Sequence, residues 1–292
     1  MLQTNNINIG FIGTGVMGNS MASNLLKGGY NLYIYNRTKE KALSLIEKGA
    51  TWKASVSELS KVSDVIITIV GYPSDVEEVY LGSNGILNNA KPGSFVIDMT
   101  TSKPSLAKKI YEIAKSKNVF ALDAPVSGGD VGASEGTLSI MVGGDKEAFE
   151  HLKPIFELMG KNIVLQGTAG AGQHTKMCNQ IAIASNIMGV CEAIAYAKNS
   201  GLDPETVLKS IGAGGAASWQ LSSYAPRILK DDFKPGFYIK HFVKDMRIAL
   251  EEADSMGLNT PALSLCKKLY DKLIAEGKED LGTQALYQLY MD

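Results

Sequence analysis

The sequence predicts an α/β protein in which a doubly wound parallel sheet is followed by an all-helical second domain. Three observations predict it: strand-length apolar runs alternating with helical patterns in the first half, a glycine turn directly after the first run, and the end of strand signals near Gly167. The runs are residues 7–12, 32–35, 65–70, 94–98 and 119–122, and stretches such as 16–27 and 104–115 carry apolar residues at helical spacing. Strands that are apolar on both sides need helices over both faces of the sheet, the arrangement of a parallel sheet.

Beyond Gly167, residues 173–197 read as one long helix with few solvent-type positions, ended by the Leu202–Pro204 stretch. A helix apolar on most sides is expected to be buried, as the spine of the second domain and a contact with the first. Helical patterns continue through 220–229, 241–256 and 261–276, interrupted by Gly212, Gly214, Gly215, Pro226, Pro235 and Gly257. The expected domains are therefore 1–167 and 168–292.

The chain has 292 residues, 45% hydrophobic and 20% charged, enough to bury a sizeable core in two domains. A formal charge of -1 supplies no field for a polyanion, so a nucleic-acid partner is not expected and a small molecule is. Residues 1–6 are polar and lack the basic flank and apolar stretch of a secretory signal, and no segment reads as long and apolar enough to span a bilayer. Cys178, Cys191 and Cys266 are odd in number, widely spaced and without a C-x-x-C pair, which suits reduced thiols in the cytoplasm. His151, His174 and His241 are isolated, so no metal is expected.

The first motif is Gly13-Thr14-Gly15-Val16-Met17-Gly18, a G-x-G-x-x-G between a strand and a helix. Gly13 permits the tight turn, Gly15 lets the backbone approach a pyrophosphate, and Gly18 lets the helix pack closely on the sheet. The helix start adds unpaired N–H groups and the positive end of the dipole. Dinucleotide binding on a Rossmann-type sheet follows. At the end of the second strand stand Asn36, Arg37 and Thr38 where a carboxylate would normally hold the adenosine ribose. A guanidinium flanked by neutral donors suits a 2′-phosphate, which points to NADP(H) over NAD(H). Arg37 also fits a solvated loop cation.

Asp123-Ala124-Pro125-Val126-Ser127-Gly128-Gly129 follows a strand at the carboxyl edge of the sheet, where open α/β folds bind ligands. Ser127, Gly128 and Gly129 can turn donors towards a carboxylate, although the stretch also fits a plain strand-to-loop turn. Gly170-x-Gly172-x-x-x-Lys176-x-x-Asn179-Gln180 opens the long helix, with Lys176, Asn179 and Gln180 at i, i+3 and i+4 on one face. Polar groups on an otherwise apolar helix need polar partners, and a partly desolvated lysine exchanges protons near neutrality. An exposed, structural Lys176 remains the alternative. His241 and His174 read as structural.

Taken in order, the glycine turn, the Asp123–Gly129 segment, the Gly170–Asn179 segment and Lys244-Asp245 resemble the β-hydroxyacid dehydrogenase family, which includes 3-hydroxyisobutyrate dehydrogenases and tartronate semialdehyde reductases. The resemblance covers essentially the whole chain. It implies that Lys176 is the catalytic lysine, that Asn179 helps hold substrate and lysine, and that Ser127 with Gly128 forms the substrate carboxylate site. It further implies that Thr101 contacts the nicotinamide half of the cofactor, that Val70 and Asp75 lie in a cofactor-side loop, that Lys244 reaches the cofactor and that Asp245 supports its turn. Gln180 departs from the second asparagine of the 3-hydroxyisobutyrate dehydrogenases and resembles the tartronate semialdehyde reductases more.

The expected reaction interconverts a small β-hydroxy or 2-hydroxy acid and its semialdehyde or keto acid, with Lys176 as general acid/base and Trp219 and Phe237 as candidate apolar walls. The resemblance also implies a homodimer or homotetramer. An imine reductase of related architecture and a dinucleotide-binding module without catalysis are the alternatives. A lysine at the proton-transfer position argues against the first, and the filled catalytic positions argue against the second.

Overall fold

The computed structural model describes residues 7–291. The polar terminus 1–6 lies outside the described residues. The chain forms two compact units, the first running to Lys176 and the second starting at Met177.

In the first unit the order is β1 (Asn8–Ile12), α1 (Val16–Lys27), β2 (Asn31–Tyr35), α2 (Leu43–Glu47), β3 (Thr51–Trp52), α3 (Val56–Val62), β4 (Val65–Thr68) and α4 (Pro73–Leu81). There follow β5 (Phe95–Asp98), α5 (Pro104–Ser116), β6 (Phe120–Asp123), β7 (Val126–Ser127), α6 (Gly129–Glu135), β8 (Leu138–Gly143), α7 (Lys146–Phe156) and β9 (Gly160–Gly167). Five apolar runs recognised in the sequence thus become β1, β2, β4, β5 and β6. They are joined in parallel in the order β3-β2-β1-β4-β5-β6, the Rossmann-type doubly wound arrangement. The remaining strands extend the sheet: β8 runs antiparallel to β6 and β7 and parallel to β9.

Successive residues of the central strands feed cores on opposite faces. Val65 and Ile67 of β4 pack with Phe11, Met21 and Leu25, while Ile66 between them packs with Leu59, Val76 and Ile110. Helices on both faces therefore follow from strands with no polar side. The order reverses between β1 and β4, so the loops after these strands, 13–15 and 69–72, open at the carboxyl edge where such sheets bind ligands.

The helix α8 (Ala171–Asn199) is continuous and spans the division between the units. The division falls inside it rather than at 167/168 because its first turn is fastened to strand ends of the first unit, as described below. The second unit continues with α9 (Pro204–Ile211), α10 (Trp219–Ser223), α11 (Ala225–Ile228), α12 (Ile239–Ser255) and α13 (Pro261–Ala275). Its core joins Ala184, Ile187, Cys191 and Ile194 of α8 to Phe242 and Met246 of α12 and to Leu263 and Tyr270 of α13. The Tyr270 hydroxyl is buried there and donates to Thr283 O at 2.6 Å.

Two expectations for α8 are corrected. It is not buried on most sides: Cys178, Ala182, Ser185, Asn186, Gly189 and Tyr196 are exposed. And by length and composition it is apolar enough to cross a membrane. Exposed Ala182, Cys178 and similar positions add to its apolar count without being core positions, and the long core helix of a globular unit meets the same criterion.

Candidate active site

The glycine turn after β1 has a shape that requires its glycines. Gly13 has φ +98°, and a Cβ there would lie 2.0 Å from Ile69 O. A Cβ at Gly18 would lie 1.9 Å from Gly13 O, so the first turn of α1 packs against the loop without a side chain between them. At Gly15 a Cβ would meet no atom within 4 Å. The turn is therefore closed towards the sheet and open at Gly15 and the exposed Val16, where the α1 N–H groups have no side-chain cap. Met17 packs partly against the sheet core. This geometry fits the pyrophosphate of a dinucleotide, held by main-chain N–H groups. Thr14 Oγ1 is buried beside it without a hydrogen-bond partner.

Asn36 is a strut between β2 and this turn. Its Oδ1 accepts from Thr14 N at 3.1 Å and its Nδ2 donates to Thr38 O at 2.8 Å. Arg37 is 80% exposed at its side chain and reaches Asp75 Oδ1 at 3.1 Å. The other Asp75 oxygen accepts from Tyr72 N at 3.0 Å, which caps the start of α4. The structure thus brings together two residues assigned to the cofactor from separate loops. Thr38 is exposed and makes no side-chain cap to the short helical turn that follows.

The loops after β4 and β5 are tied at Val70, whose N–H donates to Thr100 Oγ1 at 2.9 Å. Thr100 N and Thr68 Oγ1 both donate to Asp98 Oδ1, at 3.1 and 2.9 Å. Thr68 also meets the Tyr80 hydroxyl at 3.1 Å. Burial pushes the Asp98 carboxyl up to about 6 against the opposing effect of its hydrogen bonds from Thr100 and Thr68. Asp98 stands opposite Asp123 in the β5–β6 register, and burial raises Asp123 as well.

Nothing in the sequence marks Asp123 for a role, and the structure gives it one. Its Oδ1 accepts from Gly170 N at 2.7 Å and its Oδ2 from Gln173 N at 2.8 Å, so a strand-end carboxylate caps the start of α8. Close approach of helix and strands needs Gly172, where a Cβ would lie 2.3 Å from Met141 O. Gln173 was missed too; the available signal was its position one turn before Lys176.

Beyond Asp123 the chain forms β7, whose Val126 and Ser127 pair with Ile140 and Ser139 of β8. Gly128 and Gly129 then turn with φ +136° and +66°, the left-handed region open to glycine. Ser127 is half-buried and Gly128 exposed. Lys176 is buried, 7% exposed, and its Nζ donates to Val126 O at 2.8 Å. The expected proton-transfer amine and the expected carboxylate turn thus meet within the first unit.

In the second unit the predicted polar residues form a chain. Asn179 Nδ2 donates to Gln180 Oε1 at 2.7 Å, Gln180 Nε2 donates to Asp245 Oδ2 at 2.6 Å, and Lys244 Nζ stands 3.0 Å from Asp245 Oδ1. The last is a contact of charges without hydrogen-bond alignment, since Asp245 Oδ1 has no hydrogen-bond partner. Gln180, the departure from the 3-hydroxyisobutyrate dehydrogenase pattern, is the link that joins Asn179 to the Lys244-Asp245 pair. Burial, then the Lys244 charge, holds the His241 pKa below the ordinary value. Trp219 is 56% exposed, and Phe237 packs on Phe242. A groove of about 860 Å³ in this unit, lined by Leu208, Ala217, Leu221 and Leu229 among others, includes none of the predicted site residues.

Residues 8–167 match the family model of the NAD binding domain of 6-phosphogluconate dehydrogenase, and residues 170–290 match the NAD-binding model of NADP-dependent 3-hydroxyisobutyrate dehydrogenase. The chain is 67% identical to an uncharacterized oxidoreductase, YkwC, of Bacillus subtilis, over 97% of this chain and 98% of that one. It is 40% identical to the 2-hydroxy-3-oxopropionate reductase of Escherichia coli, over 96% of each chain. Among solved structures, the Mycobacterium tuberculosis 3-hydroxyisobutyrate dehydrogenase with L-serine superposes with a TM-score of 0.90 at 29% identity, covering 98% of this chain and 99% of that one. A dinucleotide turn with the required open and closed sides, family models over both halves and relatives matched along their whole length make this chain a member of the β-hydroxyacid dehydrogenase family, an NAD(P)-dependent hydroxyacid dehydrogenase.

Proposed function

We propose that this enzyme interconverts a small β-hydroxy or 2-hydroxy acid and its semialdehyde or keto acid, with NADP(H) preferred and Lys176 as general acid and base. The observation that carries the reading is the buried Lys176 amine at 2.8 Å from Val126 O, beside Ser127, Gly128 and Gly129. The nicotinamide supplies or accepts the hydride. In the reducing direction protonated Lys176 hydrogen-bonds to the carbonyl oxygen and protonates the developing alkoxide; its charge stabilises that oxygen in the transition state. In the oxidising direction the neutral amine takes the hydroxyl proton. Ser127 Oγ and the glycine N–H groups hold the carboxylate, which fixes the reacting carbon relative to Nζ.

The family resemblance adds Asn179 to orient the reacting oxygen, and Thr101, Val70 and Lys244 to the cofactor. Support for a carboxylate substrate comes from the E. coli relative, named for 2-hydroxy-3-oxopropionate. The phosphate-selective reading rests on Arg37 at the end of β2. The same proposal includes a reducing, cytoplasmic setting, in keeping with three free cysteines, and a homodimer or homotetramer. The test is a panel of glyoxylate, succinic semialdehyde, tartronate semialdehyde, methylmalonate semialdehyde and 3-hydroxypropionate, each with both cofactors. Turnover of at least one with NADPH preferred is expected; turnover of none, or equal use of NADH, overturns the corresponding part.

A further inference from the structure

Gln173 lies in the first turn of α8 and is fully buried. Its Nε2 donates to Thr100 O at 2.7 Å and its Oε1 accepts from Ser102 N at 2.9 Å. The two bonds flank Thr101, so one primary amide pairs with the main chain on either side of that residue, as a neighbouring strand would. The Gln173 N–H meanwhile donates to Asp123 Oδ2, and Gly170 N–H donates to Asp123 Oδ1, which fixes the start of the helix. The far side of the loop is held by Thr100, through Val70 N and Asp98. All of these groups belong to the first unit, as does Lys176 one helical turn on.

We infer that Gln173 is a positioning residue: its amide sets the Thr101 main chain, on the nicotinamide side, in fixed geometry to the helix that carries Lys176. The inference rests on the proposed roles of Lys176 and Thr101. The chemistry demands a side chain that donates and accepts at once, because both main-chain partners are buried. An apolar side chain of equal length leaves Ser102 N–H and Thr100 C=O unpaired. A neutral glutamic acid reproduces both bonds, whereas a glutamate turns an oxygen lone pair on Thr100 O. The ionisable groups at the joined ends of these elements include Asp98 on β5, Asp123 on β6, His174 and Lys176 on α8, and Lys103 and Lys108 at and on α5. Asp123, which accepts from the residue-173 N–H, and Asp98, which accepts from Thr100 N–H, both oppose ionisation of a glutamic acid at 173.

The experiment compares Gln173→Met, Gln173→Glu and Lys176→Ala with wild type, using NADPH and the best aldehyde acid of the panel. Gln173→Met is expected to lower kcat about a hundredfold while KM and NADPH affinity change little. In the cofactor-free protein, hydrogen exchange at the Ser102 amide should quicken about tenfold or more. Gln173→Glu should regain kcat relative to wild type as pH falls from about 8 to about 6, a rescue that loss of structure would not give. Near-normal kcat in Gln173→Met, unchanged exchange at Ser102, or a Gln173→Glu profile parallel to wild type overturns the inference. If Gln173→Met does not fold, the Gln173→Glu profile decides. Turnover retained by Lys176→Ala would instead overturn the catalytic reading of Lys176, whatever Gln173 does.

Discussion

Lys176 Nζ donates to Val126 O at 2.8 Å, which fastens the amine on α8 to the strand residue preceding the Ser127-Gly128-Gly129 turn. The acceptor is main chain, so the separation between amine and turn does not depend on the side chain at 126. A buried ammonium without such a partner would be costly. This placement supports the proposed reading of Lys176 as a proton donor beside the proposed carboxylate turn.

Lys176→Ala is expected to retain NADPH binding and to lose about 10²–10⁴-fold in kcat, the usual contribution of general acid–base catalysis. Lys176→Arg keeps the charge but not the exchangeable proton, because a guanidinium is not deprotonated in proteins, so oxidation of the hydroxy acid should stay as slow as in the alanine variant. Steady-state kinetics in both directions, with a parallel cofactor titration, check this. Near-normal kcat in Lys176→Ala would remove the residue from the chemistry.

Ser127→Ala should raise KM for carboxylate substrates with NADPH affinity unchanged. Loss of one hydrogen bond to a charged group costs about 1.5–3 kcal/mol, or roughly 10–100-fold. Half-burial of Ser127 favours the lower end. An unchanged KM, or an equal loss of cofactor affinity, would place Ser127 outside the substrate site.

What could be read from the sequence was whatever is local. The strands β1, β2, β4, β5 and β6 are runs of apolar residues, and the glycine turn encodes its geometry in spacing. The strands β3 and β7 are two residues each, too short to show a period, and β9 is mostly exposed, with Ile163 and Leu165 half-buried and Gly160 buried. The network of Asp98, Asp123 and Gln173 was not legible, because it depends on the register that sets Asp98 beside Asp123 and on where the β6 end meets α8. The apolar look of α8 misled for a related reason: Cys178, Ala182 and Tyr196 count as hydrophobic in composition but are exposed.

Asp98 should make stability depend on pH. Its carboxyl titrates at about 6 in the folded chain against an ordinary 3.8, so the folded state holds a proton in that window that the unfolded state has released. The stabilisation from that proton is complete below the unfolded value and lost as pH rises through about 6, a full excursion of about 3 kcal/mol. Asp98→Asn keeps an acceptor for Thr68 and Thr100 and carries no charge. Its stability relative to wild type should therefore improve as pH goes from about 4 to about 7. Urea unfolding of both proteins across that range measures the difference, and a flat difference would show that Asp98 holds no extra proton.

The proposed preference for NADP(H) rests on Arg37. Only the 2′-phosphate distinguishes NADPH from NADH, and the guanidinium proposed to meet it, just after β2, is already paired with Asp75 at 3.1 Å. A phosphate must compete with that carboxylate, and with the guanidinium 80% exposed the interaction is further weakened by solvent and salt. Arg37→Ala is therefore expected to weaken NADPH binding by about tenfold, the lower end for a hydrogen bond to a charged group, and to leave NADH almost untouched. The wild-type preference should shrink at high ionic strength, whereas NADH binding should barely respond. Fluorescence titrations of both cofactors with wild type and Arg37→Ala at low and high salt test each part. A wild type that binds NADH as tightly as NADPH would leave Arg37 as a solvated loop cation whose partner is Asp75 alone.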